Sequence, residues 1–309
     1  MKRFQKIFDV IRNKPGSLIV VVLSRFGISP WISDKLYLRL IYRAYMGYWM
    51  NFERPKTFQE KLQWLKINNR NPLYSQMVDK FAAKEYVARL IGEEHIIPTL
   101  AVYNNVEEID FDLLPDQFVL KTTHDSQSAI ICVDKSTFDK EKALKRLKKK
   151  LKTQYYWLSR EYPYKNVPPR IIAERYMGEL GATDMIDYKF FCFNGEVKYC
   201  QVIKDRSIAE TIDFFDSNWQ HQEFYGLTLT SGIKQSLNHI SKPENYDEML
   251  KIAALLSDNI PFLRVDLYNV HGKIYFGEMT FFPNGGYGTF IPKQWNDIMG
   301  DMIDLKLDC

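Results

Sequence analysis

Cysteine is scarce in this sequence. The 309 residues hold four, Cys132, Cys192, Cys200 and Cys309, scattered and without a Cys-x-x-Cys pair. That spacing offers no disulfide framework, and three of the four lie in strand-like apolar runs, where a thiol behaves as a small buried hydrophobe. A reduced, cytoplasmic setting is expected. Long hydrophobic runs are also missing. Leu18 to Leu23 is apolar for only six residues, too short to span a bilayer, and no small-residue cleavage site follows it. There is no repeat at a solenoid period and no low-complexity segment. Charge of one sign is not dominant either: 42 basic against 38 acidic residues leave +4. So mild an excess fits an anionic ligand and does not demand nucleic acid.

What is present is length enough for one large or two ordinary domains, with 15% aromatic residues. The most informative stretch is Phe262 to Gly288. Leu263, Val265 and Leu267 alternate with Arg264, Asp266 and Tyr268, the period of a strand. His271-Gly272 supplies a turn, and Ile274 and Phe276 open a second alternating run that contains Glu278 and Thr280. A hairpin folded at Gly272 sets Asp266 beside Glu278, since cross-strand neighbours lie within about 5 Å. Two facing carboxylates repel unless a cation sits between them, and hard oxygen donors suit Mg²⁺. Thr280 adds a neutral oxygen on the same face. Asn284-Gly285-Gly286 then offers backbone N–H groups as a cradle for an anion. The plain alternative is a hairpin with two solvated acids and a glycine-rich exit loop.

Earlier in the chain, Lys2, Arg3, Lys6, Arg12 and Lys14 accompany Phe4, Ile7, Phe8 and Ile11 at helical spacing. This basic amphipathic helix over 2–14 either packs on the domain or rests on an anionic membrane surface. Residues 31–70 have helical spacing, with Thr57 and Glu60 placed as a capping box. Val78-Asp79-Lys80 opens a helix running to Gly92, and Lys80 falls in its first turn, where an anion would explain a cation. A short strand spans Ile96 to Tyr103. Phe118 to Lys121 is a second, whose terminal lysine needs a partner if buried. Thr122 to Ser128 is a polar loop, and Ala129 to Val133 a third strand, a layout suited to covering phosphates. A lysine-rich helix is expected over 137–160, and strands over 170–176 and 187–203 with a turn at Asn194-Gly195. Residues 207–243 read as polar and irregular, and Asn245 to Ser257 as a helix.

These pieces resemble the ATP-grasp superfamily, and more closely its TupA-like (teichuronopeptide-biosynthesis) family, from about Thr57 to Gly300. The resemblance rests on TFQEKLQWLK, the Asp79-Lys80 pair, LPDQFVLKTTH, PRIIAERY, DYKFFCFNGE, LRVDLY and FGEMTFFPNGG, in that order. It implies an α+β, ATP-grasp fold, with two α+β lobes clasping ATP and a helical N-terminal segment, divided as 1–75, 76–176 and 177–309. Lys80 and Lys121 would meet the ATP phosphates, with His124 and Ser126 in the lid. Glu174, Arg175 and Met177 would form the adenine hinge, mostly through backbone groups of Arg175 and Met177. Asp266, Glu278 and Thr280 would hold Mg²⁺, with Thr280 where related enzymes often place Asn. Arg264 would meet the transferred phosphoryl group, and Lys189 and Arg206 would face substrate. Gly285 and Gly286 would steady an oxyanion. One departure stands out. The family's lid reads like His-Gly-Ser-Gly, whereas this chain has His124-Asp125-Ser126-Gln127, and an acid there would repel phosphate.

The activity so implied is an ATP-dependent carboxylate–amine ligase that adds an amino acid to a surface polysaccharide or its precursor. Its partners would be ATP and the two substrates, with peripheral membrane contact through residues 2–14 and no nucleic acid. Other classes remain open. Asp110-Phe111-Asp112 is a D-x-D triplet of the kind that holds a metal on a sugar nucleotide in glycosyltransferases, although such triplets arise by chance. A phosphotransferase and a non-catalytic nucleotide-binding relative are further readings.

Overall fold

Side-chain caps at Ser33 and Thr57 set the starts of the first two helices. The computed structural model describes residues 29–126, 128–178, 186–204, 210–228 and 234–305. Helix α1 (Asp34–Met46) is followed by α2 (Phe58–Asn68). The capping box expected at α2 is present: Glu60 N donates to Thr57 Oγ1, and the Glu60 carboxylate accepts from Thr57 N. Two more helices follow, α3 (Leu73–Val78) and α4 (Ala82–Ile91), the latter ending at Gly92 as expected.

A first sheet comprises β1 (Thr99–Tyr103), β2 (Phe118–Thr122), β3 (Ile130–Cys132) and β4 (Ile171–Arg175), antiparallel throughout in the order β1-β4-β2-β3. Helices α5 (Lys140–Leu151) and α6 (Tyr155–Ser159) lie between β3 and β4 in the chain, so the single helix expected over 137–160 is two. The second sheet holds β5 (Asp187–Phe193), β6 (Glu196–Lys204), β7 (Thr211–Asp216), β9 (Phe262–Val270) and β10 (Lys273–Thr280), in the order β10-β9-β5-β6-β7. Strand β8 (Tyr225–Thr228) pairs with β11 (Thr289–Ile291). Helix α7 (Tyr246–Leu256) precedes β9, and α8 (Trp295–Asp301) closes the described chain.

Strands β7 and β8 occupy a region expected to be irregular. In β7 the buried Asp213 interrupts the apolar pattern, and its partners come from outside the strand: His221 Nε2 at 2.9 Å and Ser236 N at 3.1 Å. Such satisfaction of a buried acid is invisible in local sequence.

Two cores organise these layers. Phe118, Leu120, Ile171 and Ala173 of the first sheet pack with Leu147 of α5 and Phe111. The second sheet packs its Phe190, Cys192, Leu263, Val265 and Leu267 with α7. Phe58, Leu62 and Leu65 of α2, Tyr74 of α3, and Ala83 and Val87 of α4 belong to this same core, with the Phe58 ring 4.9 Å from that of Phe262. Helices α2, α3 and α4 thus bury apolar residues in the core of the second sheet. A smaller cluster joins α1 to Tyr287. Cys132, Cys192 and Cys200 are buried free thiols. Among the described residues no helix is long and apolar enough to cross a membrane.

Candidate active site

The hairpin β9–β10 forms with Glu278 directly opposite Asp266 and Thr280 opposite Arg264. The cation between the two acids belongs to the protein itself. Arg264 sends Nε to Asp266 Oδ1 at 2.6 Å and Nη2 to Asp266 Oδ2 at 2.7 Å, a bidentate fork. The same Nη2 lies 3.1 Å from Glu278 Oε1 and 3.0 Å from Thr280 Oγ1. On the neighbouring strand Lys189 faces Asp266 in register, and its ammonium donates to Asp266 Oδ2, with Asp187 at 3.6 Å. Burial pushes the Asp266 carboxyl upward, and Arg264 and Lys189 work against that push. Partial burial also raises Glu278, but Arg264, Lys189, Lys80 and Lys121 outweigh it and hold this carboxyl down to about 2.

This array depends on an irregularity. Strict alternation would turn Phe276 and Glu278 to one face. The register slips between them, so that Phe276 pairs with Leu267 on the core face and Glu278 with Asp266 on the charged face. Gly277 is the extra residue of the bulge. A Cβ there would lie 3.0 Å from both Asp266 O and the Tyr268 ring, which is why the position suits glycine.

Across from the hairpin, the cleft face of the first sheet carries a second charged group. Glu174 on β4 is buried and takes two lysines: Lys84 of α4 at 2.5 Å and Lys121 of β2 at 2.6 Å. Burial raises this carboxyl, but the two cations more than compensate and its pKa falls below the usual value. Lys80 sits in the turn just before α4, and its ammonium is held by the Asp125 carbonyl oxygen. Burial lowers its pKa. Between the two sheets lies a cavity of about 180 Å³. Lys80, Lys84 and Lys121 stand at its wall, with Val119 and Ile131 as apolar lining, and Arg175 at the end of β4 with Tyr176 and Met177 after it along its edge.

Of the residues singled out in the sequence, Lys80, Lys121, Glu174, Arg175 and Met177 thus border one cavity, and Lys189, Arg264, Asp266, Glu278 and Thr280 form one array. His124 and Ser126 sit elsewhere in the loop: His124 Nε2 is 3.2 Å from Thr153 O, and Ser126 Oγ donates to the Tyr155 hydroxyl at 3.4 Å. Arg206 and the 2–14 helix fall outside the described residues, as does Gln127.

Four expectations need correction. Lys80 precedes the helix rather than lying in its first turn, because Asp79 Oδ1 caps that end by accepting from Phe81 N and Ala82 N. Arg175 N is not available as a hinge donor, since it already donates to Pro98 O at 3.0 Å. Gly285 N donates to Phe282 O at 2.9 Å, so it is not a free cradle amide. Asp125 does not present a bare charge to the cleft: it is buried, with Lys150 at 2.9 Å from Oδ2 and Thr122 Oγ1 donating to Oδ1.

Sequence reasoning missed Lys84, whose side chain reaches Glu174 from α4 only in the folded chain. It also missed a cluster behind the glycine loop. Lys66 of α2 is fully buried and donates to Gly285 O at 2.7 Å and Ser159 O at 2.9 Å, while Gln63 Nε2 reaches Gly286 O at 2.9 Å. The buried Glu161 is nearby. Burial lowers Lys66 to about 8 and raises Glu161 to about 7. A lysine at an apolar helix position was the available signal. The D-x-D triplet, by contrast, serves a turn, since Asp110 Oδ1 accepts from Asp112 N at 2.9 Å.

The donor chemistry of the hairpin fits Mg²⁺: the oxygens are hard, and Glu278 keeps 42% of its side chain exposed with Oε1 engaged by Arg264. Asp266 has both oxygens in ion pairs, which leaves Glu278 as the reachable carboxylate. Among the described residues no group of three or more His, Cys, Asp or Glu side chains is arranged to hold a metal.

The family profile described as TupA-like ATP-grasp matches residues 60–304. The chain belongs to the TupA-like ATP-grasp family. The match takes in both sheets, the cavity and the hairpin of this TupA-like chain. No curated protein shows a significant match. Among solved structures it is similar to a D-alanine–D-alanine ligase from Bacillus anthracis complexed with ATP, at 15% identity and a TM-score of 0.38, covering 67% of this chain and 54% of that one. It is also similar to a phosphoribosylamine–glycine ligase from Thermotoga maritima, at 11% identity and a TM-score of 0.40, covering 69% and 51%. A third is an N5-carboxyaminoimidazole synthase from Aspergillus clavatus in complex with ADP and an aminoimidazole ribonucleotide, at 12% identity and a TM-score of 0.35, covering 67% and 44%. The chain spans about half the length of these proteins.

Proposed function

We propose that this protein is an ATP-dependent carboxylate–amine ligase that works through an acyl phosphate, joining an amino acid to a carboxyl group of a surface polysaccharide or its precursor. The observation that carries the reading is the meeting of two charged groups at one cavity: Lys80, Lys121 and Glu174 line it from one side, and Tyr268 and Gly277 of the hairpin that carries Asp266 and Glu278 line it from the other. Family membership supplies the reaction class.

In this reading the adenine lies along Arg175 to Met177, and Lys80 and Lys121 take the phosphates. Glu174, which Lys84 also engages, holds the Lys121 ammonium in place. Mg²⁺ bound at Glu278, with Asp266 and Thr280 beside it, would neutralise charge on the phosphoryl oxygens. Asp266 fixes the guanidinium of Arg264 so that it needs no reorganisation when charge develops on the transferred group. The substrate carboxylate attacks the γ-phosphorus as the bond to ADP breaks. The amine nitrogen then attacks the acyl carbon, phosphate departs with the bonding pair, and the nitrogen loses a proton. Lys189 and Arg206 face the acid substrate, and an oxyanion role falls to Gly286, because the Gly285 amide is engaged. Residues 2–14 would rest on the inner face of the membrane.

Nucleotide binding without turnover is a second reading, favoured by the Lys80 ammonium being held on the Asp125 carbonyl. Thermal melting with ATP, ADP and UDP-sugars, each with and without Mg²⁺, tests the assignment. A ligand at a hundred times its Kd stabilises by about 2.7 kcal/mol. The expected result is a Mg²⁺-dependent rise with ATP or ADP that Lys121→Ala abolishes. A rise with UDP-sugars alone would assign the protein to sugar transfer instead.

A further inference from the structure

Helix α1 shows two different faces. Its inward residues Tyr37, Leu38, Ile41 and Tyr42 are buried with Tyr287, whose ring stacks on Tyr45 at 4.9 Å. Its outward residues Lys35, Leu36, Arg39 and Arg43 are exposed and fall within about 100° of arc at 3.6 residues per turn. The flanking chain widens this face. Trp31 is 89% exposed and Trp49 55%, and Leu36 is 51% exposed between them in sequence. The Arg39 guanidinium lies 5.9 Å from the Trp49 ring, and the Lys35 ammonium 5.6 Å from the Phe52 ring, so cations and aromatics are interleaved on one surface. A cleft of about 340 Å³ opens there between Lys35, Arg39, Asn51 and Glu53.

Charge is one-sided. Lys35, Arg39 and Arg43 are exposed on this helix face, and Glu53 is the exposed acid at the cleft beside them, because Asp34 is engaged by Arg70 at 2.7 Å and Arg160 at 3.0 Å. Exposed tryptophans beside lysine and arginine are the composition of a bilayer interface, where amphipathic rings sit at headgroup depth and cations meet lipid phosphates. The chain's own residues 1–28 are a poor cover, since they carry Lys2, Arg3, Lys6, Arg12, Lys14 and Arg25 against Asp9 alone.

We infer that the face formed by Trp31, Lys35, Leu36, Arg39, Arg43 and Trp49 docks on an anionic lipid bilayer. This extends the membrane-contact part of the reading above to a second surface, and it does not rest on the ligase chemistry. It gives the site an orientation: Tyr287, which follows Gly285-Gly286, packs on the opposite side of the docking helix, about 10 Å away by the width of a helix. The acceptor class this favours is lipid-linked.

The experiment is co-sedimentation of the full chain with phosphatidylcholine vesicles, with and without phosphatidylglycerol. The expected result is binding only to the anionic vesicles, weakened by salt. Combined Lys35→Gln, Arg39→Gln and Arg43→Gln should lower the partition coefficient roughly a hundredfold, and Trp31→Ser with Trp49→Ser should lower it as well. Both variants change exposed side chains, so melting temperature and the Mg²⁺–nucleotide shift should stay unchanged; that separates this inference from the nucleotide reading. Three outcomes overturn it. One is equal or absent binding to the two vesicle types. Another is binding kept by the triple variant but lost on changing Lys2, Arg3, Lys6, Arg12 and Lys14 to Gln. The last is a lipid-free dimer that the tryptophan variant dissolves, which assigns the face to a second copy of the chain.

Discussion

Arg264 reaches across the β9–β10 hairpin to Glu278, with Nη2 3.1 Å from Oε1, while its fork stays closed on Asp266 of its own strand. One guanidinium therefore bridges two acids, and the acid it holds less firmly is the more exposed one. Replacing Glu278 by Gln keeps the side chain's size and removes its charge. Mg²⁺-dependent ADP release in the presence of candidate acids and amines should fall at least a hundredfold, on the scale of losing one transition-state contact. The Arg264–Asp266 fork should keep the fold. Full activity in this variant would remove the hairpin from the site.

Glu174 tests the other wall. It is buried between Lys84 and Lys121. Lys84→Met leaves it one cation, and a hydrogen bond to a charged group contributes about 2 kcal/mol. Urea unfolding should show a loss of that order, with nucleotide affinity reduced because Lys121 is then drawn more fully to Glu174. Lys121→Ala should cost comparable stability and abolish nucleotide binding.

Gly277 tests the register. Gly277→Ala places a Cβ 3.0 Å from Asp266 O, a backbone atom that cannot swing aside. Overpacking of this kind costs about 1–3 kcal/mol. Nucleotide affinity should fall with stability, since relief of the contact moves Glu278 away from Asp266.

The Lys66–Glu161 cluster predicts a pH profile. Burial raises Glu161 from 4.5 to about 7, so the folded state holds a proton that the unfolded chain has released, and this contribution to stability declines as pH rises from 4.5 to 7. Lys66 is lowered from 10.5 to about 8, so its contribution recovers as pH rises from 8 to 10.5. The cluster should therefore contribute least between pH 7 and 8. Lys66→Met should flatten the alkaline limb in melts recorded across this range. An unchanged profile would mean that water or rearrangement keeps Lys66 charged.

Much of this was legible in the sequence. Residues 262–280 announce a hairpin because their apolar residues alternate around a turn at His271-Gly272, whereas the register slip at Gly277 that sets Glu278 opposite Asp266 does not show in the alternation. Lys121 announces itself as a charge in an apolar strand. The α2 cap is written in Thr57 and Glu60. What escaped has a common cause, that local pattern does not carry distant partners. Lys84 sits in a helix with no local sign of Glu174. Asp213 hides β7 because its donors arrive from residues 221 and 236. Lys66 stands at an apolar helix position, but its partners Gly285 and Ser159 are far away in sequence. The Gly285 amide looked free because its acceptor, Phe282 O, belongs to the same turn, and only the turn's geometry assigns it.

The bulge at Gly277 makes the parity of β10 matter as much as its composition. Smoothing the bulge away with the residue count unchanged would turn Glu278 to the face of Phe276, into the packed interior, with every side chain on that segment unchanged in kind. Removing the one extra residue would instead close the bulge and leave the acid opposite Asp266. A relative one residue shorter between its turn and its acid can therefore carry the same pair of acids on a regular hairpin.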